Sequence, residues 1–399
     1  MNSESSSGTI ERQETASERI TLEVLASRFV EEYRRWLNPS IDAYASACPR
    51  YAEEIRESFP VLIAMEEWKT NQEFTRLRRQ IPADFMISQL GNCHILNEIN
   101  RDRTSIIYAA AQGPHKRKVA VRLLPWKSDC SIRLQERFLR EARLVFRLSH
   151  PNIVSVECTE EYQGYTYAIM QLVSGISLDQ VLRGLTQKQT GTVDQDQYVP
   201  QAGYLYEEQL PQVLEVFRQN YWRSIANLGL QAANALRFAH SRGTLHCDLR
   251  PGNFILNQEG HCWLTGFSLP QHLEGTLRQQ RVQSLLYQPP ERIQGDMDER
   301  SDLYSLGCVL YELATFLPLF EARNSNALVE QILCGRYTRP REINREIPPA
   351  LENIIIGCLE RSKQNRYQSA DELSVSLVRF LNSRAVKSRM NSESNGRGK

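Results

Sequence analysis

His246-Cys247-Asp248-Leu249-Arg250-Pro251-Gly252-Asn253 is the stretch on which the reading of this chain turns. It brings a carboxylate, a guanidinium and a carboxamide together, side-chain types that accept protons and hold charge in a site. A hairpin is predicted just after it, over 254–256 and 262–264, turning at Asn257 to Gly260. Beyond the hairpin the apolar period becomes helical, at 302–314, 327–334, 351–359 and 370–381, and upstream 222–240 reads the same way. Nearer the N-terminus the period changes to that of strands. Ile107 and Tyr108 lie before a Gly113-Pro114 turn, 119–124 is a continuous strand-like run, and 153–158 and 165–172 pair around Gln163-Gly164. One helix, 133–148, interrupts them. A small β-rich half followed by a larger α-rich half is an α+β, two-lobed plan.

Several other motifs stand in order around that stretch. Val119-Ala120-Val121-Arg122 precedes Glu141, which precedes His150-Pro151-Asn152-Ile153-Val154. Gly266-Phe267-Ser268, Pro289-Pro290-Glu291, the run from Asp302 to Gly307, and Arg366-Tyr367 follow. In this order and spacing the chain resembles the protein kinases, with residues 246–253 at the catalytic loop His-Arg-Asp-Leu-Lys-Pro-x-Asn. The resemblance covers about residues 92–382 and is closest to bacterial, eukaryotic-like (Hanks-type) serine/threonine kinases. It implies an N-lobe at 92–173 and a C-lobe at 174–382. Asp248 would accept the proton of a substrate hydroxyl, Asn253 would contact a metal, and Arg250 stands in for the loop lysine. Arg122 and Glu141 would form the ion pair between strand and helix. Met170 would be the gatekeeper, with Gln171 to Val173 the hinge that meets an adenine.

The departures from the family pattern cluster where ATP would sit. The phosphate-cradling loop should read Gly-x-Gly-x-x-Gly, but the matching segment is Asn100-Arg101-Asp102-Arg103-Thr104-Ser105, without a glycine between Gly91 and Gly113. Side chains there obstruct the close backbone approach that phosphates need, so a plain hairpin turn is expected. Arg122 replaces the strand lysine; its larger planar fork directs its donors differently and is expected to fill part of the phosphate space. Gly266 replaces the magnesium-holding aspartate, a loss worth several kcal/mol in phosphoryl transfer. Cys247 replaces the arginine that pairs with an activation-loop phosphate. Ser284 falls at the threonine that faces the catalytic aspartate. The skeleton is retained by contrast. Glu291 and Arg366 can form the buried C-lobe pair, Asp302 can accept backbone hydrogens of the catalytic loop, Gly307 lets its helix pack closely, and Phe267 is expected in the packed spine. The expectation is a regulatory or scaffolding pseudokinase that needs no cofactor and has no metal site. The alternatives are a serine/threonine kinase keeping low phosphotransfer with ATP and magnesium, and a metal-independent nucleotide sensor.

The flanks read separately. A helical module is expected at 18–79: Leu22, Leu25, Phe29, Tyr33 and Leu37 share a face, Ser40 is placed to cap a helix from Ile41, and Val61, Met65 and Trp68 make a second stripe. Pro39, Pro49 and Pro60 punctuate it. Residues 1–17 and 384–399 are polar tails, expected to be disordered. A Gln-, Thr- and Tyr-rich stretch at about 186–219 shows little periodicity and is expected to be an inserted loop. The balance of 48 basic and 47 acidic residues gives +1, which argues against nucleic acid or a membrane as partner and leaves an unknown protein. The apolar run 303–320 is interrupted by Ser305 and Glu312, and the N-terminus lacks the apolar core of a signal peptide. Nine cysteines without a Cys-x-x-Cys pair fit a reducing compartment, so a cytoplasmic location is expected.

Overall fold

A computed structural model of the chain describes residues 21–34, 39–78, 86–101, 105–127, 132–190, 209–268, 285–293, 296–322 and 325–383. Both expected tails, the glycine-loop residues Asp102 to Thr104, and Ser284 lie outside the described residues. The chain divides into two compact units, Met1–Glu66 and Glu67–Lys399.

The first unit is built from α1 (Leu22–Arg34), α2 (Ile41–Ala47), a 3-10 turn at Pro49–Tyr51 and the first part of α3 (Ala52–Arg78). The Ser40 hydroxyl accepts from the Ala43 N–H at 3.2 Å and caps α2 as its position predicts. Leu25 and Phe29 pack on Ile55, Phe59 and Ile63, with the Phe29 and Phe59 rings 4.5 Å apart. Arg34 closes the unit with two bonds of 2.8 Å to the buried Glu66 carboxylate. Two expectations fail here. Pro60 lies inside α3 instead of ending it, because a proline removes one N–H and the packing of Ile55, Phe59 and Ile63 carries the helix through. Val61 and Met65 do not form a packed stripe and are 56% and 52% exposed, since the face two residues round from Phe59 points the other way. Leu37 and the Trp68 side chain lie outside the described residues.

In the second unit β1 (Gln89–Leu90), β2 (Cys93–Arg101), β3 (Ile106–Gln112), β4 (Arg117–Lys127), β5 (Val156–Tyr162) and β6 (Tyr165–Gln171) form an antiparallel sheet. Their order is β1-β2-β3-β4-β6-β5, with α4 (Ile132–Phe146) between β4 and β5 in the chain. The period of two explains the unbroken apolar run of β4. Val119, Val121 and Leu123 enter one core with Tyr167 and Ile169, while Ala120 and Leu124 enter another with Phe138 and Ala142 of α4. Arg122 shares the parity of Ala120 and Leu124, so its side chain is delivered toward α4.

Then come β7 (Ile176–Ser177), α5 (Leu178–Thr190), α6 (Leu210–Gln219), α7 (Tyr221–His240), β8 (Phe254–Leu256) and β9 (Cys262–Leu264), with β7, β8 and β9 forming a small sheet. The chain continues through α8 (Pro290–Ile293), α9 (Glu299–Thr315), α10 (Ser325–Cys334), α11 (Pro340–Ile343), α12 (Pro349–Leu359) and α13 (Ala370–Asn382). Helix α9 is the buried axis of this lobe; Asp298 and Ser301 cap it reciprocally. A Cβ on Gly307 would lie 2.6 Å from the Cys358 Cβ, so only glycine permits the approach of α9 and α12. The inserted loop at 186–219 is corrected. Helix α5 runs to Thr190 and 210–219 is helical, with Val213, Leu214 and Phe217 buried. Their i, i+1, i+4 spacing was diluted by the polar residues before them; 191–208 lie outside the described residues. No helix among the described residues is long and apolar enough to cross a membrane.

Candidate active site and its supports

Asp302, in the first turn of α9, shapes the 246–253 loop as expected. Its buried carboxylate accepts from the N–H of His246 at 2.8 Å and of Cys247 at 2.9 Å. The His240 Nε2, from the end of α7, lies 2.8 Å from the same carboxylate. Burial alone would raise the Asp302 pKa, but the His240 bond, the two neighbouring imidazoles and the backbone donor outweigh it and hold it below the usual range. Turned by these anchors, Cys247 takes a left-handed backbone with φ of +63° and is buried, and burial raises its thiol pKa. Arg292 of α8 donates to the Cys247 carbonyl and, at 2.6 Å, to Gln288. The loop position where the family pattern has an arginine is thus a buried cysteine whose carbonyl is held by an arginine from α8.

The structure brings Asp248, Arg250 and Asn253 together. The Asn253 carboxamide donates to the Asp248 carbonyl at 2.7 Å and to its carboxylate at 3.0 Å, and Arg250 Nε donates to that carboxylate at 3.3 Å. Asn253 therefore braces the loop, and Asp248 stays partly exposed at its tip. Facing them, Gly266 has a φ of +78°, and a Cβ there would lie 2.6–2.7 Å from the Asn253 carboxamide atoms. Asn253 occupies the volume that a side chain at 266 would need. Phe267 is buried with its ring 4.3 Å from that of His246, the spine position expected of it. Burial lowers the His246 pKa, against the pull of the nearby Asp302 and Asp248 carboxylates.

Above the loop, Arg122 meets Glu141 at 3.4 Å, donates through Nε to the Ser105 hydroxyl at 2.9 Å, and lies 5.2 Å over the Phe138 ring. Its guanidinium is thus turned onto protein partners. Glu141, 7% exposed, also receives Arg137 at 3.3 Å and the Ser268 hydroxyl at 3.2 Å. Arg101 pairs with Ile106 across β2 and β3, and Arg101 is tied to Glu98 by bonds of 2.7 and 2.9 Å. Met170 is buried at the end of β6, and Val173 is half-buried on the same core with Ile107, Leu172 and Ile255. A Cβ at Gly175 would lie 2.6 Å from the Leu256 carbonyl, so the chain just after the expected hinge presses onto β8. Among the described residues, no group of three or more His, Cys, Asp or Glu side chains is placed to hold a metal ion.

The C-lobe pair is formed. Arg366 donates to Glu291 at 2.8 and 3.3 Å, the Ser301 hydroxyl adds a bond of 2.7 Å, and Arg366 lies 4.9 Å from the Tyr304 ring centre. Sequence reasoning missed His240, Arg292, Ser105 and Ser268. His240 acts through Asp302, 62 positions away, and Arg292 contacts the loop from 45 positions away, separations beyond any local signal. The two serines were legible only as side chains standing at glycine positions.

Comparison with known proteins agrees with this geometry. The protein kinase domain family matches residues 94–377. A probable serine/threonine-protein kinase of Clostridium acetobutylicum is 28% identical over 283 residues, covering 70% of this chain and 38% of that protein. The serine/threonine-protein kinase PknH of Mycobacterium tuberculosis is 27% identical over 292 residues, covering 72% and 42%. This chain thus spans about two fifths of the length of these curated relatives. Among solved structures, Rad53 1–466 in complex with AMP-PNP superposes with a TM-score of 0.52 at 21% identity, over 71% of this chain and 64% of that one, a likeness of fold. With the family match spanning most of its length and the catalytic loop, strand-to-helix pair and C-lobe pair all assembled, the chain belongs to the eukaryotic-like protein kinase family.

Proposed function

We propose that this kinase-fold chain is a regulatory or scaffolding pseudokinase, acting through a protein partner in the cytoplasm. The observation that carries the reading is at Gly266: the metal-holding carboxylate is missing, and Asn253 fills the place where its Cβ would stand. Magnesium normally neutralises charge between the β- and γ-phosphates, and the residues present do not fit it. Among the described residues, the carboxylate within the loop is that of Asp248, whose partners are Asn253 and Arg250, and the Asp302 carboxylate beneath it is taken up by loop N–H groups and His240. Arg122, at the strand-lysine position, is engaged by Ser105 and Glu141. The near-zero net charge supports a protein partner over nucleic acid or a lipid surface.

A second reading, slow phosphotransfer to serine or threonine, is favoured by one observation: Asp248, Arg250 and Asn253 keep a mutual geometry suited to orienting a hydroxyl. Thermal unfolding of the purified chain with millimolar ATP, with and without magnesium, separates the readings. The pseudokinase reading expects no shift in either condition. A shift without magnesium identifies a nucleotide sensor, and a magnesium-dependent shift overturns the proposal. Any transfer then detected should vanish in Asp248→Asn; transfer that survives belongs to a contaminating kinase.

A further inference from the structure

Three positions at which this chain departs from the kinase pattern meet in one hydrogen-bonded chain. Ser105 stands at the last glycine of the phosphate loop, Arg122 at the strand lysine, and Ser268 at the glycine after Phe267. Arg122 Nε donates to Ser105 Oγ at 2.9 Å, Arg122 Nη2 meets Glu141 Oε2 at 3.4 Å, and Ser268 Oγ donates to Glu141 Oε1 at 3.2 Å. We propose that the Ser105–Arg122–Glu141–Ser268 network is a built-in lock that holds α4 engaged with the sheet and with the start of the segment after Phe267, with no contribution from nucleotide or metal.

Each substitution is needed for the chain to close. Glycine at 105 or at 268 has no hydroxyl, so the family's residues leave both outer links unmade. A lysine at 122 presents its donors from one ammonium, whereas the arginine fork separates them, and Nε serves Ser105 while Nη2 serves Glu141. Both oxygens of Glu141 are engaged, Oε2 by Arg122 and Oε1 by Arg137 and Ser268. The network is shielded: Ser105 is 1% exposed and Glu141 7%. Bonds to a charged partner in such a setting are stronger than neutral ones at the surface. The links join four separate pieces of chain, the β2–β3 hairpin, β4, α4 and the strand exit beyond Phe267, so α4 cannot swing out without breaking the Glu141 links to Arg122 and to Ser268 together. The His246–Phe267 ring contact lies beside the same exit and fits the engaged arrangement. A partner reading this face would meet it permanently presented, which goes beyond the pseudokinase reading and does not depend on it.

Hydrogen–deuterium exchange of the full chain, with no nucleotide added, tests the lock. The variants are Ser105→Ala, Ser268→Ala, the double change, and Ser268→Thr, which keeps the hydroxyl. Each alanine change removes one bond to a charged group and should speed exchange of the α4 amides about tenfold. The double change should depart from the product of the two, because both act through Glu141. Ser268→Thr should exchange like the parent, and amides of β6 and α9 should be unmoved in every variant. Unchanged α4 exchange in the double variant overturns the proposal. So does equal acceleration in α4, β6 and α9, which would mark general destabilisation. Because no ATP is present, failure of the lock and failure of the pseudokinase reading are read from different experiments.

Discussion

Returning the missing carboxylate with Gly266→Asp looks like a repair, yet the local geometry predicts damage. The backbone at 266 has a φ of +78°, where an L-residue costs roughly 1–2 kcal/mol, somewhat less for aspartate. The new Cβ would stand 2.6 Å from Asn253 Cγ and 2.7 Å from its two polar atoms, far inside van der Waals contact. Asn253 is short and nearly buried, so it yields by leaving its bonds of 2.7 and 3.0 Å to Asp248. Loss of a hydrogen bond to a charged group costs about 1.5–3 kcal/mol, so the substitution should destabilise the lobe by about 2–5 kcal/mol. Gly266→Ala carries the same Cβ without a charge and should show most of that loss. The assay is urea unfolding of both variants beside thermal titration with ATP and magnesium. Neither variant should gain a magnesium-dependent shift, because Arg122 remains held by Ser105 and Glu141. If Gly266→Ala is as stable as the parent, the packing reasoning is wrong. If Gly266→Asp gains a magnesium-dependent shift, the site lacked only one carboxylate and the pseudokinase reading fails.

Two further outcomes follow from the buried groups. Removing either partner of Glu291–Arg366, by Glu291→Gln or Arg366→Leu, should cost about 3–5 kcal/mol in urea unfolding, because the other charge is left buried; the double change should cost less than the sum, and additivity would refute the pairing. Burial lowers the pKa of His246 and, assisted by Arg237 and Arg242, that of His150, from an ordinary 6.5. The unfolded chain then takes up these protons first as pH falls, so the stability is fully present above about 6.5 and declines below it, toward the folded pKa values. Melting temperature should drop between pH 7.5 and 5.5 and drop less steeply in His150→Asn; a flat profile in the parent would refute the assignment.

The order of strands and helices was legible because it rests on local periodicity. The hairpin 254–256 and 262–264 falls where the alternation put it, and the helix expected at 370–381 runs to Asn382. Where the reading failed, the phase or the window was at fault. Val61 and Met65 repeat at a helical interval, but so do Ile55, Phe59 and Ile63, and only packing chooses which face is buried. Helix α6 was hidden because its apolar residues were averaged with the polar stretch before them.

At the site, the sequence alone determined which groups are present: a glycine at 266, an arginine at 122, an aspartate and asparagine five residues apart in the loop. It also implied the Arg122–Glu141 and Glu291–Arg366 pairs, through motif order. Tertiary structure decided how the substitutions are accommodated. It set Asn253 against Gly266, Arg292 of α8 on the Cys247 carbonyl, and Ser105 and Ser268 on a network whose members lie 17, 19 and 127 positions apart. Hydrogen bonds depend on ångström-level placement, and that placement comes from the packing of whole strands and helices against one another, which no local pattern of residues encodes.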